Sequence, residues 1–177
     1  MSKSIRKLVF SALFLALCLV LPLLTAQLQK LGQAMLPMHL PVLLCGFICG
    51  PAWGAAVGLI APIIRSLIFG MPPIFPTAVC MAAELCGYGL FAGLFYKLFP
   101  KKIGFTYLSL VLAMICGRIV NLFAHYLIVW TGLTDKAYTL AVFWADSVVA
   151  GLIGMAIQIV LIPPIVLLFK RLHYIGD

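Results

Sequence analysis

Charge is what this sequence has least of. Only 9% of its 177 residues are Asp, Glu, Lys or Arg, and just 4 of those are acidic. A soluble domain carries about 25% charged residues. A chain that is 65% hydrophobic, with a mean hydropathy of +1.22, cannot cover a water-facing surface. The scarcity excludes an ordinary soluble enzyme or binding module and makes lipid the solvent for most of the chain. Catalytic patterns are also lacking: there is no Gly-x-Ser-x-Gly turn and no Asp-rich motif. An intramembrane hydrolase or lipid-modifying transferase needs a nucleophile with its base, or an acidic metal cluster. Glu84 and Asp146, the acids at membrane depth, stand apart in sequence. The chain therefore reads as a non-enzyme with no metal or cofactor of its own.

Cysteine is present but without a partner pattern. Cys18, Cys45, Cys49, Cys80, Cys86 and Cys116 all lie in apolar runs, and no His/Cys cluster completes a metal site. Small, buried, reduced thiols are the expectation. The formal charge of +8 could suggest nucleic acid. Its cations, however, cluster at the ends of apolar segments, as the positive-inside rule demands.

Apolar runs are abundant. At about 20 residues per span, the length allows about six transmembrane helices with short loops and one domain over residues 1–177. Helix one is expected over about Ile5–Gln27 as a retained span rather than a cleaved signal. A short second helix starts near Pro41 and breaks at Gly50–Pro51, where proline removes a backbone donor. The third covers about Ala52–Phe69 and is kinked at Pro62. Gly70–Pro76 is an ordered loop, followed by a fourth helix from Thr77 to Phe99 and a fifth from Ile103 to Trp130. A long sixth, Ala137–Leu172, is expected to be interrupted near Pro163–Pro164.

Charge counting sets an expected orientation. Lys3, Arg6, Lys7, Lys97, Lys101, Lys102, Lys170 and Arg171 fall on one side. Only Lys30 and Lys136 fall on the other, with Asp135 offsetting one of them. Both termini are then cytoplasmic, and the three longer loops (about 28–40, 70–76 and 131–138) face outward.

Ionisable residues at membrane depth cost several kcal/mol unless paired or wetted, so each is a candidate functional group. Arg65, Glu84, Arg118, His125 and Asp146 form this set, with Asn121 and Gln158 as neutral polar company. Helix direction places the first five and Asn121 in the outer half, from four different helices. Arg118, Asn121 and His125 share one face at i, i+3, i+7. Tyr88 lies one turn below Glu84, and Trp144 stands beside Asp146. Each residue has a structural alternative. Arg65 and Glu84 either pair or contact ligand, and Arg118 either bridges to Asp146 or Glu84 or contacts ligand. His125 either bonds a carbonyl or contacts ligand, and Asp146 either caps a helix or contacts ligand. Gln158 reads as interhelical glue. Trp53 and Trp130 read as interfacial belt residues. An apolar pocket with a few fixed polar groups is the usual small-molecule site.

Small residues carry a second pattern. Ala12 and Ala16 form an Ala-x-x-x-Ala pair on helix one. Gly50, Gly54 and Gly58 repeat the spacing and are expected to serve packing within the chain. Together with the helix order and the Gly50–Pro51 junction, these features resemble the S components of energy-coupling factor (ECF) transporters. The segment His39–Gly58, HLPVLLCGFICGPAWGAAVG, is similar to that family's short second helix running into the third. The resemblance spans nearly the whole chain.

The resemblance implies an all-α, six-helix substrate-binding subunit in the bacterial cell membrane. It implies high-affinity capture of a vitamin from outside and association with a coupling subunit and two ATPases, which use the ATP. The S component then topples to release its cargo inside. The Ala12 and Ala16 face would meet the coupling subunit, and the loops at Gln27–His39, Gly70–Pro76 and Thr131–Lys136 would close over the ligand. His39, which opens the similar segment, joins the candidate substrate contacts. Two arginines and a histidine suit a small polar ligand carrying a carboxylate. Met38–Leu44 and Gly70–Pro73 are similar to pantothenate-type members, while a pyridoxine-like or other heterocyclic vitamin stays open. A stand-alone small transporter, which would need no partner subunits, and an intramembrane enzyme, which would consume a substrate without them, are the remaining alternatives.

Overall fold

A computed structural model describes residues 3–25, 36–132, 143–149 and 151–172. These residues form six α-helices, five of them long and apolar enough to cross a membrane. Helix α1, Lys3–Thr25, buries Ser11, Phe14, Cys18 and Pro22 along one stripe. Its opposite side exposes Val9, Ala12, Leu13, Ala16 and Val20. An apolar stripe turned outward fits a lipid or protein neighbour rather than water.

Helix α2, His39–Cys49, has 11 residues, of which 10 are buried. At 1.5 Å per residue it is about 16 Å long, roughly half a hydrocarbon core. It is hydrophobic all round and sits inside the bundle, packed against its neighbours rather than against lipid. The chain then turns at Gly50, whose φ of 102° is a conformation that side-chain-bearing residues rarely adopt. Pro51 opens α3, Pro51–Phe69, at the position where a missing N–H is harmless. Gly50 therefore does not pack as its spacing suggested. A Cβ there would meet nothing within 4 Å, and the residue is required by its backbone angle instead.

Gly54 and Gly58 do pack. A Cβ on Gly54 would lie 2.6 Å from the Gly89 carbonyl oxygen, and one on Gly58 would strike the backbone of Leu85. Gly46, Gly89 and Gly93 complete a seam where α2 and α3 meet α4, Val79–Leu98, backbone against backbone. Between α3 and α4, Gly70 caps α3 in the left-handed region, and Ser66 Oγ donates to the Pro72 carbonyl at 2.6 Å. Residues Ile74–Ala78 form one wide turn, with Phe75 extended, so the regular helix begins at Val79 rather than Thr77.

Helix α5, Ile103–Trp130, follows a tight basic turn and matches its expected bounds. The sixth segment departs from expectation. Trp144–Val149 is a separate loosely wound turn, and α6 runs unbroken over Leu152–Arg171 with Pro163 and Pro164 inside it. The break falls at Gly151, not at the prolines. Helix interiors within a membrane bundle tolerate proline because neighbouring groups satisfy the freed carbonyls. At the far end, Lys170 Nζ donates to the Lys101 carbonyl at 2.8 Å, tying α6 to the turn between α4 and α5. All six cysteines are free thiols, four buried and two half-buried.

Candidate substrate site

The site is built around one buried carboxylate. Glu84 sits in the second turn of α4 and is 4% exposed. Its Oε1 lies 2.9 Å from Arg118 Nη1 and 3.6 Å from His39 Nε2. Its Oε2 accepts a hydrogen bond from Asn121 Nδ2 at 2.5 Å. Three helices meet here: α2 supplies His39, α4 supplies Glu84 and Tyr88, and α5 supplies Arg118 and Asn121.

Local geometry explains the convergence. Arg118 and Asn121 are three residues apart on α5, so both reach the same side. Tyr88 follows Glu84 by one turn, and its ring meets His39 edge-on at 5.1 Å and 72°. Gly117 lets α5 close on that ring, since a Cβ there would sit 2.9 Å from Tyr88 Cγ. His39 is placed at the mouth of α2 by its own N–H, which donates to the Leu36 carbonyl at 3.0 Å.

A buried charge pair stands only if both members stay, because removing one strands the other at a cost of about 3–5 kcal/mol. The pair here leaves polar capacity over. Among the described residues Arg118 Nε and Nη2, both His39 ring nitrogens, Asn121 Oδ1 and Glu84 Oε1 are buried without a hydrogen-bond partner, although Oε1 is ion-paired. Each such group costs about 1–3 kcal/mol when left unmet. Two donors from arginine, an imidazole nitrogen and one amide acceptor, clustered together, can recognise a small molecule with several polar groups.

The other sequence candidates fall elsewhere. Glu84 pairs with Arg118, not with Arg65. The Arg65 guanidinium lies over the Phe69 ring at 5.9 Å, and its buried Nη1 has no partner among the described residues. His125 is half-buried, with Nδ1 3.1 Å from the Asn121 carbonyl oxygen, one turn beyond the Glu84 cluster. Trp144 is 59% exposed and stacks edge-on with Phe143. Asp146 belongs to the turn Trp144–Val149, and its side chain lies outside the described residues, as do Lys30, Asp135, Lys136 and Tyr138. Gln158 is fully buried on α6, with Nε2 unpartnered among the described residues. Trp130 is 84% exposed at the end of α5, whereas Trp53 packs against the core. Ala12 and Ala16 are exposed on the outer side of α1. Among the described residues no group of three His, Cys, Asp or Glu could hold a metal. Sequence reasoning missed Gly117 and the Gly46–Gly89–Gly93 seam, although Gly87, Gly89 and Gly93 in one helix were a visible signal.

Long apolar helices around a buried polar centre define a multi-pass membrane protein. The family model for the ECF transporter substrate-specific component matches residues 6–166, and the chain belongs to that family. It is thus a substrate-specific subunit of an ECF importer, and the family is one of transporter components. Such components work with the ECF transmembrane and ATPase module and bind a small-molecule substrate. No curated protein and no solved structure shows a significant match to the chain.

Proposed function

We propose that this chain captures pantothenate at high affinity outside a bacterial cell and delivers it through the ATP-driven coupling module. The observation that carries the reading is the Glu84 cluster, a buried ion pair flanked by unmet donors on Arg118, an unpartnered imidazole nitrogen on His39 and an acceptor on Asn121. Pantothenate offers a carboxylate, an amide and two hydroxyls, which complement that set. His39, Glu84, Tyr88, Arg118 and Asn121 form the centre of the pocket. Arg65, His125 and Trp144 belong to its rim.

The cationic flanks support both termini lying in the cytoplasm, which puts the cluster in the outer half of the membrane. The exposed Ala12–Ala16 face of α1 is the docking surface for the coupling subunit, which brings two ATPases. The test is the mass-spectrometric identity of the small molecule that co-purifies with the protein, together with uptake in vesicles. Pantothenate, and uptake only when the coupling module is present, is the expected result. A pyridoxine-like ligand would move the substrate to a heterocyclic vitamin, and uptake by the chain alone would overturn the subunit role. Arg118→Ala is expected to weaken binding by at least about 30-fold, since truncating one partner of a buried charge pair costs about 2–5 kcal/mol.

A further inference from the structure

We infer that Glu84 is a positioning residue that does not touch substrate, and that the Nε–Nη2 edge of Arg118 is the fork that selects a carboxylate. The inference rests on the pocket proposed above and narrows what the pocket recognises.

Glu84 is held at both ends, Oε1 by ion pairing without a hydrogen bond of its own and Oε2 by a hydrogen bond. Oε1 faces Arg118 Nη1 at 2.9 Å and His39 Nε2 at 3.6 Å, and Oε2 accepts from Asn121 Nδ2. A carboxylate pinned between an arginine and an amide is fixed in place and spends its charge on the arginine. Its effect is on Arg118. By holding Nη1, it fixes the guanidinium plane and leaves Nε and Nη2 side by side, both buried and unpartnered among the described residues. Those two N–H groups are parallel and spaced to grip the two oxygens of a carboxylate, a geometry that a lysine cannot reproduce. Asn121 is oriented by the same contact. Its Nδ2 is given to Glu84, so Oδ1 is turned to serve as an acceptor for a ligand hydroxyl or amide N–H. One carboxylate thereby sets two recognition groups on α5.

The arrangement divides the roles cleanly. Losing the fork removes discrimination between an acid and its neutral analogue. Loosening the fork's support weakens the acid more than its neutral analogue, and freeing Asn121 weakens both. A site built to bond a polar group rejects an analogue lacking it far more strongly than a pocket discriminates by size alone.

The experiment is calorimetric titration of the purified full chain with pantothenate and with panthenol, its neutral alcohol analogue. Wild type is expected to prefer the acid by at least about 100-fold. Arg118→Lys should collapse that ratio to within several-fold. Glu84→Gln should weaken both ligands and narrow the ratio part of the way, and Glu84→Asp should restore part of the affinity and of the ratio. Thermal melting of each variant confirms that it is folded. A Glu84→Gln ratio that collapses while the Arg118→Lys ratio survives would overturn the assignment, as would equal wild-type binding of acid and alcohol. If neither ligand binds, the pantothenate reading fails and the fork is judged on the co-purified molecule. A co-purified acid that outbinds its own amide sustains the fork, and a ligand without an acidic group sinks it.

Discussion

Tyr88 is wedged between the imidazole of His39 and the bare backbone of Gly117, and its ring is 1% exposed. A methyl group at Gly117 would press on Cγ and both Cδ atoms of the ring at 2.9 to 3.0 Å. Overpacking of this kind costs about 1–3 kcal/mol. Gly117→Ala is thus expected to lower the melting temperature by several degrees and to weaken ligand binding by pushing Tyr88 against His39. The matched control is Gly104→Ala, where an added Cβ meets nothing within 4 Å. It should leave both readouts unchanged or raise stability slightly, because alanine favours the helix by up to about 1 kcal/mol over glycine. At this scale the sequence was legible where a residue was improbable. A glutamate and an arginine within apolar spans demand a reason, and the i, i+3 spacing put Asn121 beside Arg118. Partner choice was not legible, because pairing Glu84 with Arg118 instead of Arg65 depends on how α3, α4 and α5 rotate about their axes. His39 gave no signal of its own, since it stands at a helix start where histidine is unremarkable.

Among the elements, the crossing of α2 and α3 on α4 is set by hydrogen atoms where side chains would be. The carbonyl oxygen of Gly54 occupies the space a Cβ on Gly89 would need, and the Gly89 oxygen does the same to Gly46. No rotamer change relieves a clash with backbone, so the helices would have to separate. Gly89→Ala is expected to reduce folded yield sharply and lower the melting temperature by more than Gly117→Ala does, as read by size-exclusion profile and thermal melting. Helix bounds were largely legible, since an apolar run ended by glycine, proline or lysine marks its own limits. The sixth segment was not. Proline reads as a breaker in isolation, yet Pro163 is buried inside continuous α6, and the interruption falls at Gly151, whose signal is weaker. What proline does to a helix depends on the neighbours that satisfy the freed carbonyl, and these are tertiary facts.

Across the whole molecule, α1 divides its labour by face. Ser11, Phe14 and Cys18 look inward, and Cys45 Sγ donates to Ser11 Oγ at 3.6 Å, while Ala12 and Ala16 look out. A bulky residue on the outer face should spare the pocket and spoil assembly. Ala16→Trp is expected to bind ligand with wild-type affinity in calorimetry but to fail in co-purification with the coupling module and in vesicle uptake. Retained assembly would remove the docking role from this face. The membrane character of the chain was legible from composition alone, because no arrangement of so few charges covers a soluble surface.

The glycine seam and the polar centre occupy different sides of α4. Leu85, Gly89 and Gly93 turn toward α2 and α3, whereas Glu84 and Tyr88 turn toward His39 and α5. The scaffold's spacing is therefore written in residues that carry no chemistry, and the chemistry in residues that set no spacing. For inheritance this means cargo preference can drift by exchange at His39, Arg118 or Asn121 while the frame descends unaltered. A saturation library scored for folded expression should show the seam positions rejecting even alanine, while His39 and Asn121 accept many substitutes that fold but bind something else or nothing.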